Sequence, residues 1–338
     1  MWQVVGHEKA IALLTNSLRG DKLSHAYLFV GPHHVGKMTL ALNLAQALNC
    51  TGDEKPCGEC VPCRRIAEHK HADIQIIGVI NRAEISIDQI RDMEHSATMK
   101  PFEGQNRVFI IDGAENLSSE AANCLLKTLE EPPPYVCIIL LALNERFILP
   151  TVSSRCQKVE LMPLPISQVE EAFTKRWKVP PEQAKLLARL SAGCPGWALG
   201  ALHDERILDD RAKRMSTLSQ LAKQDRIERF AYATSLANQF SKNRETVRET
   251  LQIWMSWWRD LLLINGGCKN SITNVDLEDA LFHEASYYGL PGIKAFIDYL
   301  FQAIEALDRN ANPRLVLEAL MLKIPTRKGG LNPQLCQN

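Results

Sequence analysis

The sequence predicts an α/β fold built on a parallel sheet, with a P-loop and an inserted four-cysteine zinc module, followed by a small helical domain and an all-helical one. Three observations carry that prediction. Short apolar runs alternate with helical stretches as far as Leu161. A glycine-bounded loop ending in Gly36-Lys37 joins the first of those runs to a helical segment. From about Ser167 onward strand signals vanish and amphipathic helical patterns take over.

The candidate strands are Ala26–Val30, Asp73–Val79, Val108–Asp112, Val136–Ala142 and Gln157–Leu161. Most are apolar at consecutive positions rather than at alternate ones, as parallel strands covered on both faces require. Between them, Ser86-Ile87-Asp88-Gln89 fits a capping box that opens a helix. A second helix opens after Ser118, runs through AANCLLKTLEE and is stopped by Pro132, Pro133 and Pro134, which supply no backbone donors. The expected domains are 1–163 for the P-loop domain with its cysteine module at 50–63, 164–207 for the small helical domain, and 208–325 for the all-helical one. Residues 326–338 read as a disordered tail. Trp254, Trp257 and Trp258, at helical spacing, read as packing within the last domain rather than as a base-stacking surface.

Composition narrows the function classes. With 39 basic and 39 acidic residues in 338, no net field steers the molecule onto nucleic acid or an anionic membrane. Contact with DNA then has to be local or shared with partners. The opening MWQVVGHEKA shows no basic segment followed by an apolar stretch, so no secretory signal is expected. The longest apolar run, Tyr135 to Leu143, is far short of the roughly 20 residues that span a bilayer. A soluble, cytoplasmic protein is expected, and in that reducing compartment clustered cysteines are better read as metal ligands than as disulfides.

Four of the ten cysteines form such a cluster: Cys50, Cys57, Cys60 and Cys63, spaced C-x6-C-x2-C-x2-C. Zinc takes four thiolates at tetrahedral corners about 2.3 Å from the metal, and closely spaced cysteines on a knuckle meet that demand. His69 and His71 lie near enough in sequence to replace one thiolate, although four cysteines already suffice. A structural zinc is favoured over a nucleic-acid contact, because TGDEKPCGECVPCRR mixes charges and lacks aromatic stacking platforms. The scattered Cys124, Cys137, Cys156, Cys194, Cys268 and Cys336 read as inert thiols.

The loop Gly31-Pro32-His33-His34-Val35-Gly36-Lys37 has the G-x-x-x-x-G-K form of a P-loop, between a strand and a helix. Its glycines let backbone N–H groups close around phosphates, and Lys37 is placed to reach the β- and γ-phosphates. The next position, where a Ser or Thr hydroxyl should bind Mg²⁺, is Met38, a poor ligand for a hard cation. Asp112 closes the strand VFIID as a Walker B carboxylate would, yet the water-polarising glutamate expected after it is Gly113. The nearest following carboxylate is Glu115, two residues further on. Two readings of the loop stand: a working ATP site, and a P-loop kept for folding that no longer runs catalysis, in which binding of ATP or ADP by this chain is not expected.

From Val4 to Pro325 the chain resembles the clamp-loader branch of the AAA+ ATPases, as found in bacterial DNA polymerase III. The matching residues are His25-Ala26-Tyr27-Leu28-Phe29, the four-cysteine module, Asn123-Cys124-Leu125-Leu126-Lys127-Thr128-Leu129-Glu130-Glu131-Pro132-Pro133, and Ser154-Arg155-Cys156. From Asp209 on, the match is one of pattern and length. The L-L-K-T-L-E-E-P-P run and the S-R-C triplet are shared across the branch; the missing hydroxyl and glutamate set this chain with its non-hydrolysing subunit rather than with the ATP-hydrolysing gamma/tau subunit.

The resemblance implies a hetero-oligomeric ring of five subunits, with gamma/tau-type and delta-type partners, a helical lid at 164–207 and a helical collar at 208–325. It also implies that the ring works within the replicative holoenzyme on a sliding clamp and primed DNA, away from membranes. In it, Arg155 acts in trans as an arginine finger in a neighbour's ATP site, and Asn144 lies near the place of the polar sensor that aligns water. Gly193-Cys194-Pro195-Gly196-Trp197-Ala198-Leu199 resembles the lid motif G-x-x-R-x-A-L, with Gly196 where ATP-using relatives carry an arginine. The competing reading is an ATP-hydrolysing motor of the gamma/tau type. Met38, Gly113 and the want of a long extension beyond the collar speak against it. A stand-alone zinc-dependent nucleic-acid-binding protein fits poorly with zero net charge and the S-R-C triplet.

Overall fold

Five parallel strands form the one sheet of the described residues, in the spatial order β2-β3-β4-β1-β5. The structure is a computed structural model, and it describes residues 2–20, 23–79 and 84–325. In chain order the elements are α1 (Glu8–Arg19), β1 (Ala26–Val30), α2 (Lys37–Asn49), α3 (Val61–Ala67), β2 (Ile74–Ile77), α4 (Ile87–Ala97) and β3 (Arg107–Asp112). There follow α5 (Ser119–Glu130), β4 (Val136–Ala142), α6 (Pro150–Ser153), β5 (Gln157–Glu160) and α7 (Ile166–Arg176). The five strands fall on the five candidate runs, with β1 and β4 matching end to end.

The consecutive apolar positions have the cause their pattern implies. Successive residues of a strand point to opposite faces, and here both faces are covered. Tyr27, Phe29, Val108, Ile110, Ile139 and Leu141 pack with Leu14 of α1 and Leu40 and Leu44 of α2. Their neighbours Leu28, Phe109, Ile111, Ile138 and Leu140 pack with Ile90 and Met93 of α4 and Leu125 and Leu129 of α5. Ser86 and Gln89 form the predicted capping box of α4, and the Ser118 hydroxyl accepts the Ala121 N–H at 3.1 Å to start α5.

The remaining helices are α8 (Pro181–Leu190), α9 (Pro195–His203), α10 (Arg206–Leu221), α11 (Arg226–Lys242), α12 (Arg244–Asn265), α13 (Glu278–Ala285), α14 (Leu290–Asp308) and α15 (Pro313–Lys323). The chain divides into two units, Met1–Trp177 with Gly193–Trp197, and Lys178–Ala192 with Ala198–Asn338. The division runs through the stretch 164–207, leaving α7 in the first unit and α8 in the second. In the second unit α12 packs on α14, and α11 on α15. Trp254 and Trp258 are fully buried there, with the Trp258 ring 4.8 Å from Phe296 and 5.1 Å from Tyr288 between centroids. The tryptophans are thus core residues. The tail read at 326–338, with Cys336, lies outside the described residues.

One buried carboxylate ties the first unit together. Asp73, just before β2, accepts the backbone N–H groups of Phe102, Glu103 and Gly104 at 2.7, 2.9 and 2.8 Å, and lies 3.3 Å from the Arg107 guanidinium. Burial works against its charge, but those donors outweigh it and hold the carboxyl below its ordinary value. Replacing Asp73 with Ala leaves three N–H groups and a guanidinium without their acceptor, so a loss of about 3 kcal/mol is expected. Since the shift is downward, the stabilisation is present above the unfolded-state pKa of about 4 and is lost as pH falls through the lower folded value. Urea unfolding checks this: an Asp73→Ala chain as stable as the parent at pH 7 would show that the loop needs no carboxylate.

Candidate nucleotide loop, cysteine centre and Arg155

The P-loop, Asp112 and Asn144 share the carboxyl end of the sheet. Val30, the last residue of β1, lies opposite Ala142 of β4, and Leu141 lies opposite Asp112 of β3. Gly31 begins the loop, donating its N–H to the Ala142 carbonyl at 3.1 Å, and Asn144 follows β4 by two residues. A side chain at Gly31 would come within 2.2 Å of the Leu161 carbonyl oxygen, so only glycine passes there. Gly36 turns into α2 at φ +117°, which L side chains rarely adopt. The Lys37 ammonium donates to the carbonyls of Gly31 and Pro32 at 2.5 and 2.8 Å. Asp112 is exposed, yet desolvation by the surrounding sheet end raises its carboxyl above the ordinary value, against the pull of Lys37 and of the Gly113 N–H. The Asn144 side chain is exposed and accepts the Arg146 N–H at 3.0 Å.

The three positions that depart from an ATPase pattern each have a structural occupation. Met38 is half-buried and packs against the apolar cluster beneath the loop. Gly113 takes φ +74° to enter the short turn Ala114–Asn116, and a Cβ there would lie 2.7 Å from the Asn116 amide nitrogen. A glutamate at that position would be strained. Gly196 donates its N–H to the His34 carbonyl at 2.8 Å, and a Cβ on it would meet the same oxygen at 2.8 Å. The segment Gly193–Trp197 therefore lies backbone to backbone on the P-loop, leaving no room for the arginine of the lid motif. Burial raises the nearby Cys194 thiol to about 11, with Lys37 opposing the rise.

The four sequence-selected cysteines converge. Their sulfurs all lie within 4.8 Å of one another, with Cys50 and Cys60 3.9 Å apart and Cys57 and Cys63 4.0 Å apart. A tetrahedron with metal–sulfur bonds of about 2.3 Å has edges of about 3.8 Å, so the thiols already stand close to zinc spacing. Backbone N–H groups point at the sulfurs, from Gly52 and Cys57 to Cys50 at 3.4 Å each and from Cys60 to Cys57 at 3.3 Å. At Cys60 burial opposes ionisation, but backbone donors and neighbouring thiols bring the thiol down to about 6; burial pushes the Cys63 thiol up. The histidines play no part in the cluster: His69 is exposed, and the buried His71 accepts the Asp73 N–H at 3.2 Å.

Sequence reading missed how this centre is held. α2 buries Asn43, Gln46 and Asn49, three amides spaced three residues apart on a helix that leads directly to Cys50. Asn43 accepts the Gln3 and Val4 N–H groups and donates to Gln46, which donates to the Cys63 carbonyl at 2.8 Å. Asn49 accepts the N–H groups of Gln105 and Asn106 at 2.9 Å each. The repeat of polar residues within an otherwise apolar helix was the available signal.

Arg155 stands apart from the other site residues. It follows α6 and precedes Gln157, which pairs with Tyr27 near the amino end of β1, so it lies at the opposite end of the sheet from its own P-loop. Its guanidinium donates to the Glu130 carboxylate at 2.7 Å, to the Thr151 carbonyl at 2.9 Å and to the Ser154 hydroxyl at 3.4 Å.

Comparison with known proteins places the chain. The family described as DNA polymerase III, delta subunit, matches residues 6–165, and that described as DNA polymerase III, delta subunit, C terminal, matches 206–326. The chain is 28% identical to the DNA polymerase III subunit delta' of Bacillus subtilis over 94% of its own length and 95% of that protein's. It is 34% identical to the subunit tau/gamma of Haemophilus influenzae over 63% of this chain, but spans only 30% of that longer protein. A gamma subunit-related protein of Thermotoga maritima aligns over 92% of this chain and 98% of its own, at 18% identity and a TM-score of 0.43. No helix of the described residues is long and apolar enough to cross a membrane. Matched in both halves, and aligned with a delta' protein along nearly its whole length, the chain belongs to the delta-prime family of DNA polymerase III clamp-loader subunits.

Proposed function

We propose that the chain is a non-hydrolytic clamp-loader subunit that lends Arg155 to the ATP site of a neighbouring subunit, and so helps place a sliding clamp on primed DNA. The observation that carries this reading is the position of Arg155. One strand length, roughly 16 Å for the five residues of β1, separates it from its own P-loop, more than an arginine side chain spans. A nucleotide it touches belongs to another chain. The partners this implies are gamma/tau-type and delta-type subunits in a ring closed by helical collars, working in the cytoplasm. On the same reading the domains keep the bounds 1–163, 164–207 and 208–325.

Met38, Gly113 and Gly196 support the absence of hydrolysis, because each is built into the fold where an ATPase needs a ligand, a base or a charge. The cysteine centre supports a structural zinc: four thiolates fill its coordination sphere and leave no open position for catalysis. Cys50, Cys57, Cys60 and Cys63 would hold it and join the end of α2 to the start of α3. A second reading, a motor of the gamma/tau type, draws on the identity with tau/gamma proteins and on the retained Lys37 and Asp112. Nucleotide binding and turnover, measured on the isolated chain and then with its ATPase partner, separate the two. The isolated chain is expected to turn over little or no ATP, and Lys37→Ala to leave clamp loading nearly intact. A Lys37→Ala chain that folds and assembles but loads no clamps would favour the motor reading.

A further inference from the structure

We infer that Glu130 is the positioning residue for Arg155, holding the guanidinium in place before a neighbour's nucleotide arrives; this rests on the finger reading above. Glu130 is the last residue of α5, and its carboxylate Oε1 accepts from Arg155 Nη2 at 2.7 Å. The Thr151 carbonyl and the Ser154 hydroxyl take Nη1. The arginine is thus held from two elements, the end of α5 and the short helix α6 with its C-cap Ser154.

A guanidinium has five N–H donors. Three are committed in these bonds, and Nε–H and the second Nη2 hydrogen have no partner among the described residues. Two donors remain for phosphoryl oxygens without Arg155 releasing Glu130, which makes the carboxylate a support rather than a competitor. Both side chains are partly exposed, at 37% and 52%, so the pair contributes little to stability and its value lies in geometry. An arginine-rich choice of rotamers is replaced by one, in the way that supporting hydrogen bonds pre-organise a reacting group. The carboxyl end of α5 carries partial negative charge and draws the guanidinium the same way.

The test is a double-mutant cycle in the ring reconstituted with its ATP-hydrolysing subunits. Glu130→Ala is expected to lower the Arg155-dependent part of DNA-stimulated ATP turnover by roughly five- to tenfold, in kcat with KM unchanged, because misplacement costs rate rather than affinity. Ring assembly and the thermal midpoint should stay as in the parent. Glu130→Gln, whose amide oxygen still accepts, should lose less. In an Arg155→Ala background, Glu130→Ala should cost nothing further. An equal loss in that background would make Glu130 a general structural residue and overturn the inference. So would full turnover in Glu130→Ala beside a clear loss in Arg155→Ala. If Arg155→Ala itself has no effect, the finger reading fails first and takes this inference with it.

Discussion

Purified without chelators, the protein is expected to carry about one zinc per chain, and Cys63→Ala to lose it. Cys63 is buried at the start of α3, one turn from Ile66, which belongs to the apolar cluster under the P-loop. Loss of the metal therefore reaches the core rather than a peripheral knuckle. A closed site of four thiolates contributes folding energy directly, about 10 to 16 kcal/mol of apparent binding energy in small zinc modules. Within a unit that has its own core, a net loss of about 3 to 5 kcal/mol is the reasonable share, and it should lower the thermal midpoint on the order of 10 °C. Chelation of the parent should shift it similarly. Elemental analysis finding no metal, or a Cys63→Ala chain melting with the parent, would remove the zinc assignment.

Arg155→Ala should fold and enter the ring normally, since its contacts lie at the surface, yet lower DNA-stimulated turnover at the neighbouring site. Fingers of this kind are worth about 10³ to 10⁵ in rate where they have been measured, because the guanidinium meets charge that develops on phosphoryl oxygens. The ring as a whole should lose only part of its turnover, as other interfaces keep their own arginines. Arg155→Lys should not restore the rate fully: an ammonium lacks the planar fork that reaches a carboxylate and phosphoryl oxygens together. Turnover equal to the parent in the alanine ring would reduce this chain to passive architecture.

Much of this was determined by sequence alone, because the physics involved is local. Five candidate runs became five parallel strands, and the three central ones, β3, β4 and β1, are apolar at consecutive positions because a strand buried on both faces has no polar side to alternate with. The cysteines at 50, 57, 60 and 63 converge because two-residue gaps on a knuckle leave few other arrangements, and the capping box at Ser86 is closed within four residues. The departures at Met38, Gly113 and Gly196 were also legible, but only as missing groups. What occupies their places was decided by tertiary structure. Gly196 rests on His34, more than a hundred and fifty residues earlier in the chain, and Asp73 gathers the loop at 102–104 across the end of β2. Arg155 is turned away from its own P-loop because β1 and β5 run parallel, and it meets Glu130 because α5 returns to the amino end of the sheet. Such contacts depend on strand order and helix direction, and no spacing along the chain encodes them, so a residue's chemistry could be read from its neighbours in sequence while its partner could be read only from the fold.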